Sequence, residues 1–340
     1  MVSVLRKFRF GASGNRDRSK DRIVRKLVFV CLTLLIFFPA LSWAKDKNSP
    51  TVGIVYGPQA SYRDAVLSMQ KFLESQECKC VLVELPKPDQ NVEDNTILAR
   101  LSGIKPQVFV GVGTQAVAII RQSDPKIPMV FCMIPNVLDA PFWDEKNKNQ
   151  FAPAGVSTDI DPDEQIAWIK RIAPEIKNIG VFFSPRTRKT SESIQNAGRK
   201  AGIEVTPIQT DREKITDAFK ELDQKDCDAV LMLPDVGIYN STNVRALLLL
   251  GMRQKKVVFG FSESVVKAGG FAGQYCNTAE VGKQTGELVQ ELLKGKKTDN
   301  IGLQYTGSIQ RAVNLRTAEM IEKPIDETLL DKNVVRFGND

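Results

Sequence analysis

Two carboxylates, Asp235 and Glu263, each follow a short apolar run. Ala229 to Leu233 precedes Pro234-Asp235, and Val257 to Phe261 precedes Ser262-Glu263. Carboxylates delivered by neighbouring strand ends can receive an ammonium group, or act as general acid and base when suitably spaced. Asp235 serves equally well as the cap of a following helix. Ser184-Pro185-Arg186-Thr187 closes another such run. There Ser184 can donate to a ligand and Arg186 can pair with a carboxylate or phosphate; the plainer reading is a turn with an exposed arginine and Thr187 as helix cap. Gly111-Val112-Gly113-Thr114-Gln115-Ala116 has the form G-x-G-x-x-A. The acidic residue that a dinucleotide site needs about 20 positions on is missing, because the chain there reads Met133-Ile134-Pro135. What survives is a helix start at Thr114 and Gln115 whose amides favour an anion such as a carboxylate; a tight turn without ligand is the alternative. Tyr56, Tyr62, Tyr239 and Tyr275 lie near these strand ends, where rings either stack on a ligand or simply pack.

Several chemistries are excluded. The chain has no histidine, which removes His-based triads, most zinc sites and the usual general base. It has no G-x-S-x-G elbow, no Walker loop and no metal-spaced Cys or carboxylate cluster, so neither cofactor nor metal is expected. The net charge of +7 invites a nucleic-acid partner, but residues 1–44 hold nine Lys and Arg against Asp17 and Asp21, which accounts for all of it. The neutral remainder gives a phosphate backbone little to hold.

Those 44 residues read as an export signal. A basic segment precedes the apolar run Leu27 to Ala40 and then Ser42-Trp43-Ala44, small residues standing where a signal peptidase reads. The run is shorter than the roughly 20 residues that span a bilayer, so cleavage after Ala44 and a periplasmic location are expected, with membrane anchorage if the signal is retained. Beyond it lie Cys78, Cys80, Cys132, Cys227 and Cys276. An odd number cannot complete a disulfide framework, and buried thiols are expected.

The elements that position these groups alternate. Thr51 to Tyr56, Val81 to Leu85, Gln107 to Val112 and Pro128 to Ile134 read as strands separated by helices. After a polar excursion the rhythm resumes with Ile179 to Phe183, Ile203 to Ile208, Ala229 to Leu233 and Val257 to Phe261. Strands this apolar are buried on both faces, which means parallel sheets covered by helices. The fold class is therefore α/β, with two doubly wound Rossmann-like lobes joined by a hinge. Ligands in such folds sit beyond the carboxyl ends of the strands. Gly269-Gly270 and Gly273 predict a flexible passage into a helix capped at Asn277, where Glu280 completes a capping box.

Taken together, Gly113-Thr114-Gln115-Ala116, Ile127-Pro128-Met129-Val130-Phe131, Gly155-Val156-Ser157, Ile179-Gly180-Val181, Phe261-Ser262-Glu263-Ser264, Gly282-Lys283-Gln284-Thr285-Gly286 and Asn314-Leu315-Arg316-Thr317-Ala318 resemble the solute-binding proteins of ABC importers. The similarity, to the tryptophan/tyrosine-type branch with the type I periplasmic-binding fold, covers roughly residues 51–321. It implies capture of a small molecule between closing lobes and delivery to an ABC permease in the inner membrane by a protein expected to be monomeric. By position it implies Gly57, Pro58, Gln59, Thr114, Gln115, Ser184, Arg186, Asp235, Ser262 and Glu263 as ligand-facing. Val156, Ser157, Gly273 and Gln274 are its hinge. The lobes are expected at 46–156 plus 274–303 and at 157–273 plus 304–340. The expected ligand is small and polar, best read as an amino acid whose carboxylate meets the amides near Thr114 and whose ammonium meets Asp235 or Glu263. A ligand-sensing subunit for a membrane receptor, or an exported enzyme using Asp235 and Glu263, are the alternatives.

Overall fold

The computed structural model describes residues 49–87, 94–123, 126–143 and 153–338; the expected export signal lies outside them. The first sheet takes β1 (Thr51–Tyr56), β2 (Lys79–Glu84), β3 (Val108–Val112), β4 (Met129–Ile134) and β5 (Ala154–Ser157). The second takes β6 (Asn178–Phe183), β7 (Glu204–Gln209), β8 (Ala229–Met232), β9 (Val257–Gly260) and β10 (Ala272–Cys276). The chain then returns to the first sheet with β11 (Leu303–Gln304) and ends in the second with β12 (Ile309–Asn314) and β13 (Val335–Phe337). The orders are β11-β5-β4-β3-β1-β2 and β13-β12-β10-β9-β8-β6-β7. Every pairing is parallel except β10 with β12. Two separate parallel sheets are what the doubly apolar strands predict.

Alternation along β3 shows how each sheet is covered. Val108 and Val110 join a cluster with Met69, Val281 and Val289, whereas Phe109 joins Val117, Ile120 and Phe131 on the opposite face. Side chains two apart share a face, so one fully apolar strand serves two helical layers. Helices α1 (Ala60–Ser75), α2 (Asp94–Ile104) and α3 (Thr114–Ser123) cover the first sheet. Around the second lie α4 (Pro162–Ile172), α5 (Arg188–Ala201), α6 (Ile215–Gln224), α7 (Ser241–Arg253) and the short α8 (Glu263–Lys267). Helix α9 (Thr278–Leu293) crosses back and packs on α1. The two backbones approach so closely that a Cβ on Gly282 would stand 2.0 Å from the Ala65 carbonyl oxygen. The last helix, α10, spans Leu315–Met320.

Three details differ from the sequence reading. Residues around Gly273 are not a loose passage: β10 is a paired strand, and a Cβ on Gly273 would meet the Gly260 carbonyl oxygen at 2.6 Å. Glycine is there for strand-to-strand proximity. The cap at Asn277 is one-sided, its Oδ1 accepting from the amides of Ala279 (3.1 Å) and Glu280 (3.3 Å) while its own amide donates to the Ser308 carbonyl. The reciprocal capping box belongs instead to Asn240 and Asn243 on α7. Finally, Ser157 and Gln304 lie in strands of the first sheet, and Gln274 in a strand of the second. The sheet-to-sheet crossings therefore follow Ser157, Cys276 and Gln304, a few residues from the expected boundaries.

Candidate functional site

Where these crossings meet, a partly open cavity of about 270 Å³ lies beyond the strand ends. Pro135 and Leu138, after β4, wall it from the first lobe; Thr158, Asp159 and Ile160 line it from the first crossing. The second lobe contributes Leu233 and Phe261 at the ends of β8 and β9, Thr190 and Ile194 on α5, and Gln274, Tyr275 and Cys276 on β10. The volume lies near the lower end of the roughly 300–1,000 Å³ of ligand pockets. Beyond Gly273, β10 is no longer paired with β9 and holds only to β12, so Gln274, Tyr275 and Cys276 lie where the β9 side of the strand is uncovered. Gln274 is only 4% exposed, and neither its amide nitrogen nor its oxygen has a hydrogen-bond partner among the described residues. A buried polar group without partner costs about 1–3 kcal/mol, so this is where a ligand has most to supply.

A polar frame holds the cavity mouth. Asp159 accepts from the amides of Asn136 (2.9 Å) and Val137 (3.3 Å) and from the Ser157 hydroxyl (2.8 Å). Burial raises its carboxyl above the usual carboxylate range, and those three donors work against the rise. Asn136, in the left-handed conformation (φ 53°), sends its Nδ2 to the Pro234 carbonyl across the gap between lobes at 2.7 Å. Asp139 spans the same gap, accepting from the amides of Lys189 (2.9 Å) and Thr190 (3.0 Å) and from the Thr190 hydroxyl (3.0 Å). Tyr275 donates to Glu263 at 3.1 Å. Burial, and next the Glu263 charge, push its phenol upward.

The expected ligand-facing residues separate into three groups. Ser184, Arg186 and Asp235 do come together, but inside the second lobe. Asp235 is 4% exposed and accepts from Ser184 Oγ (2.6 Å), Thr187 Oγ1 (2.9 Å) and the Gly237 amide (2.7 Å), while the Arg186 amide donates to Ser184 Oγ. That carboxylate fastens two strand-end turns together, and its oxygens are engaged. Ser262 caps α8, its Oγ accepting from the Val265 amide. Glu263 is exposed and joins the cavity wall only through Tyr275. Thus Asp235 and Glu263 serve different neighbours, and no acid and base pair is assembled from them.

In the first lobe, Thr114 and Gln115 open α3 and are exposed, following Gly113 at φ +89°. Tyr62 lies against Gly113 and Gly57, within 2.7 and 3.3 Å of where their Cβ atoms would be. Gln59 precedes α1 with its side chain folded over Gly57, and Pro58 borders a second, more open hollow with Glu84, Leu85 and Arg100. Neither Thr114 nor Glu263 lines the cavity at the crossings. Of the expected hinge residues, Val156 and Ser157 end β5, and Gly273 and Gln274 lie in β10; Gln274 is the one that reaches the cavity. Tyr239, whose ring could either stack on a ligand or pack, packs on Phe261, centroids 5.8 Å apart. The groups the sequence reading missed are Asp139, Asp159 and Gln274 as a polar element. The run Val156-Ser157-Thr158-Asp159, ending an apolar strand in a short polar residue and a carboxylate, carried a signal for Asp159. Nothing local distinguished the other two.

No helix among the described residues is long and apolar enough to cross a membrane, and no group of three or more potential metal ligands occurs among them. The five described cysteines are free.

A family model described as "ABC transporter substrate binding protein" matches residues 61–334. No curated protein sequence matches the chain. Among solved structures, the ABC domain in complex with L-Trp from Streptococcus pneumonia is 17% identical with a TM-score of 0.59, covering 86% of this chain and 100% of that one. A ligand-free, open substrate binding protein with adhesive properties from Clostridium difficile is 16% identical at TM-score 0.67, with the same coverages. A periplasmic ribose ABC transporter protein from Conexibacter woesei is 15% identical at TM-score 0.55, covering 81% of this chain and 94% of that one. At such identities the likeness is one of fold, the periplasmic-binding-protein type. Members of the matched family bind small molecules and work with a membrane permease; they are substrate-binding proteins, not enzymes. With the match spanning both sheets and the cavity between them, the chain belongs to the ABC transporter substrate binding protein family.

Proposed function

We propose that the protein, once exported, captures a small solute with an apolar body in the cavity at the lobe crossings and delivers it, as a monomer, to an ABC permease in the inner membrane. The observation that carries this reading is the buried Gln274 carboxamide, unpartnered inside a cavity lined by both lobes. Opening would occur about the three crossings, and a solute touched by both lobes only when they are shut favours the shut state. Amino acids with apolar side chains, the sequence expectation and the class of the L-Trp held by one structural neighbour, enter the panel as the comparison for neutral solutes. The Asp235 oxygens are engaged, and neither Glu263 nor Thr114 lines the cavity, so the charge partners expected for a free amino acid do not stand at its wall. The test is a thermal-shift screen against amino acids, nucleosides, sugars and small amides. A concentration-dependent rise with one class supports capture; a flat response across the whole panel overturns it.

A further inference from the structure

The charge inventory of the cavity narrows the solute further, resting on the reading of this cavity as the capture site. Among the described residues no lysine or arginine lines it, and Asp159 is the one carboxylate that does. A carboxylate or phosphate entering there would lose its water without gaining a counter-charge, and would face Asp159 besides; burying an unpaired charge in this way is strongly unfavourable. A cation fares little better, because both Asp159 oxygens are occupied by the three donors already named. The Tyr275 hydroxyl is likewise committed, to Glu263. Thr158, Gln165 and Ser193 add uncharged polar groups to the wall, but the buried one without a partner among the described residues is the Gln274 carboxamide, an N–H donor and a C=O acceptor side by side on a strand. The complementary partner is a neutral group with the same pair reversed.

We propose that the cavity selects an uncharged solute whose apolar body packs among Leu138, Ile160, Leu233 and Phe261 and whose edge presents an adjacent acceptor and donor to Gln274. A primary carboxamide, a lactam or an imide has that edge. A free amino acid does not, since its polar end is a charge pair. Gln274 is then the residue that sets specificity, and a site built around such a pair rejects analogues lacking it by several powers of ten.

The experiment uses the full chain and isosteric probes: nicotinamide against nicotinate, benzamide against benzoate, and thymine and δ-valerolactam against L-phenylalanine and L-tryptophan. Calorimetry measures affinity, and protection of Cys276 from iodoacetamide, read by peptide mass spectrometry, places the probe in the cavity. At least one neutral probe is expected to bind and shield Cys276, its carboxylate counterpart binding at least 100-fold more weakly. Gln274→Leu should abolish binding of the neutral probe without lowering thermal stability, because it removes an unpartnered buried amide. If that variant fails to fold, the carboxamide and carboxylate pairs on the unaltered chain still decide. A charged probe that shields Cys276 as well as a neutral one overturns the proposal and leaves solute capture standing. If no neutral probe binds, the proposal falls; if the charged probes are silent too, the capture reading falls with it.

Discussion

Asp139, on a turn of the first lobe, caps helix α5 of the second, accepting from the Thr190 amide and hydroxyl at 3.0 Å each. The helix needs it, because its own N-cap residue, Thr187, makes no capping bond and spends its hydroxyl on Asp235. The turn carrying Asp139 is rooted in the first lobe by fully buried Val137 and by Phe142 and Trp143, which pack on Phe131. A cap supplied from the opposite lobe exists only while the lobes are together, so in the capture cycle proposed above it would favour the shut state.

Removing that cap should open the molecule. Charge-assisted bonds to helix amides contribute about 1.5–3 kcal/mol. Asp139→Ala is therefore expected to enlarge the radius of gyration in small-angle scattering and to weaken solute binding on the order of tenfold. An unchanged scattering profile and affinity would show that the contact does not bias closure.

Asp235 is expected to behave as a structural residue. Asp235→Ala strands the Ser184 and Thr187 hydroxyls and the Gly237 amide, so urea unfolding should lose about 3 kcal/mol. A variant as stable as the parent that lost only affinity would return Asp235 to the ligand.

Gly282→Ala should be costly for a reason visible nowhere in α9 itself. The added Cβ would press on backbone of α1 rather than on a side chain that could yield. Overpacking of this kind costs about 1–3 kcal/mol, and the upper end is expected here. Gly295→Ala, with open space around the position but φ +95°, should cost less and through backbone strain alone.

Burial pushes the Cys276 thiol up to about 11. Alkylation at pH 8 should therefore run roughly 100-fold slower in the folded chain than in the unfolded one. The fold holds the proton, so the thiol's contribution is complete below the unfolded value and is lost as pH rises through about 11, on the order of 3 kcal/mol in all. Stability measured against Cys276→Ala should show that loss only on the alkaline side. A flat difference between pH 8 and 11 would contradict it.

Much of this was legible in the chain. β3 and β4 are apolar at every position, and such runs have only one stable use, as strands covered on both faces. Asn277 marks the start of α9, because a capping side chain acts within its own turn. Ser184 and Asp235 were marked as strand-end polar groups, but whether they face a ligand or each other depends on how two distant loops meet, and they meet each other. Gly273 signalled freedom in the sequence and proximity in the fold, since a missing Cβ serves either purpose.

By itself, then, the sequence determined that the chain builds two sheets of largely parallel strands and has no histidine chemistry, because these follow from local periodicity and residue type. Only the tertiary structure decided that Gln274 stands unpartnered in a cavity, that Asp235 is spoken for, and that Asp139 reaches across to α5. Each of those depends on which groups from remote parts of the chain meet in three dimensions, and hydrogen-bond partners 50 or more positions apart leave no periodic trace along it.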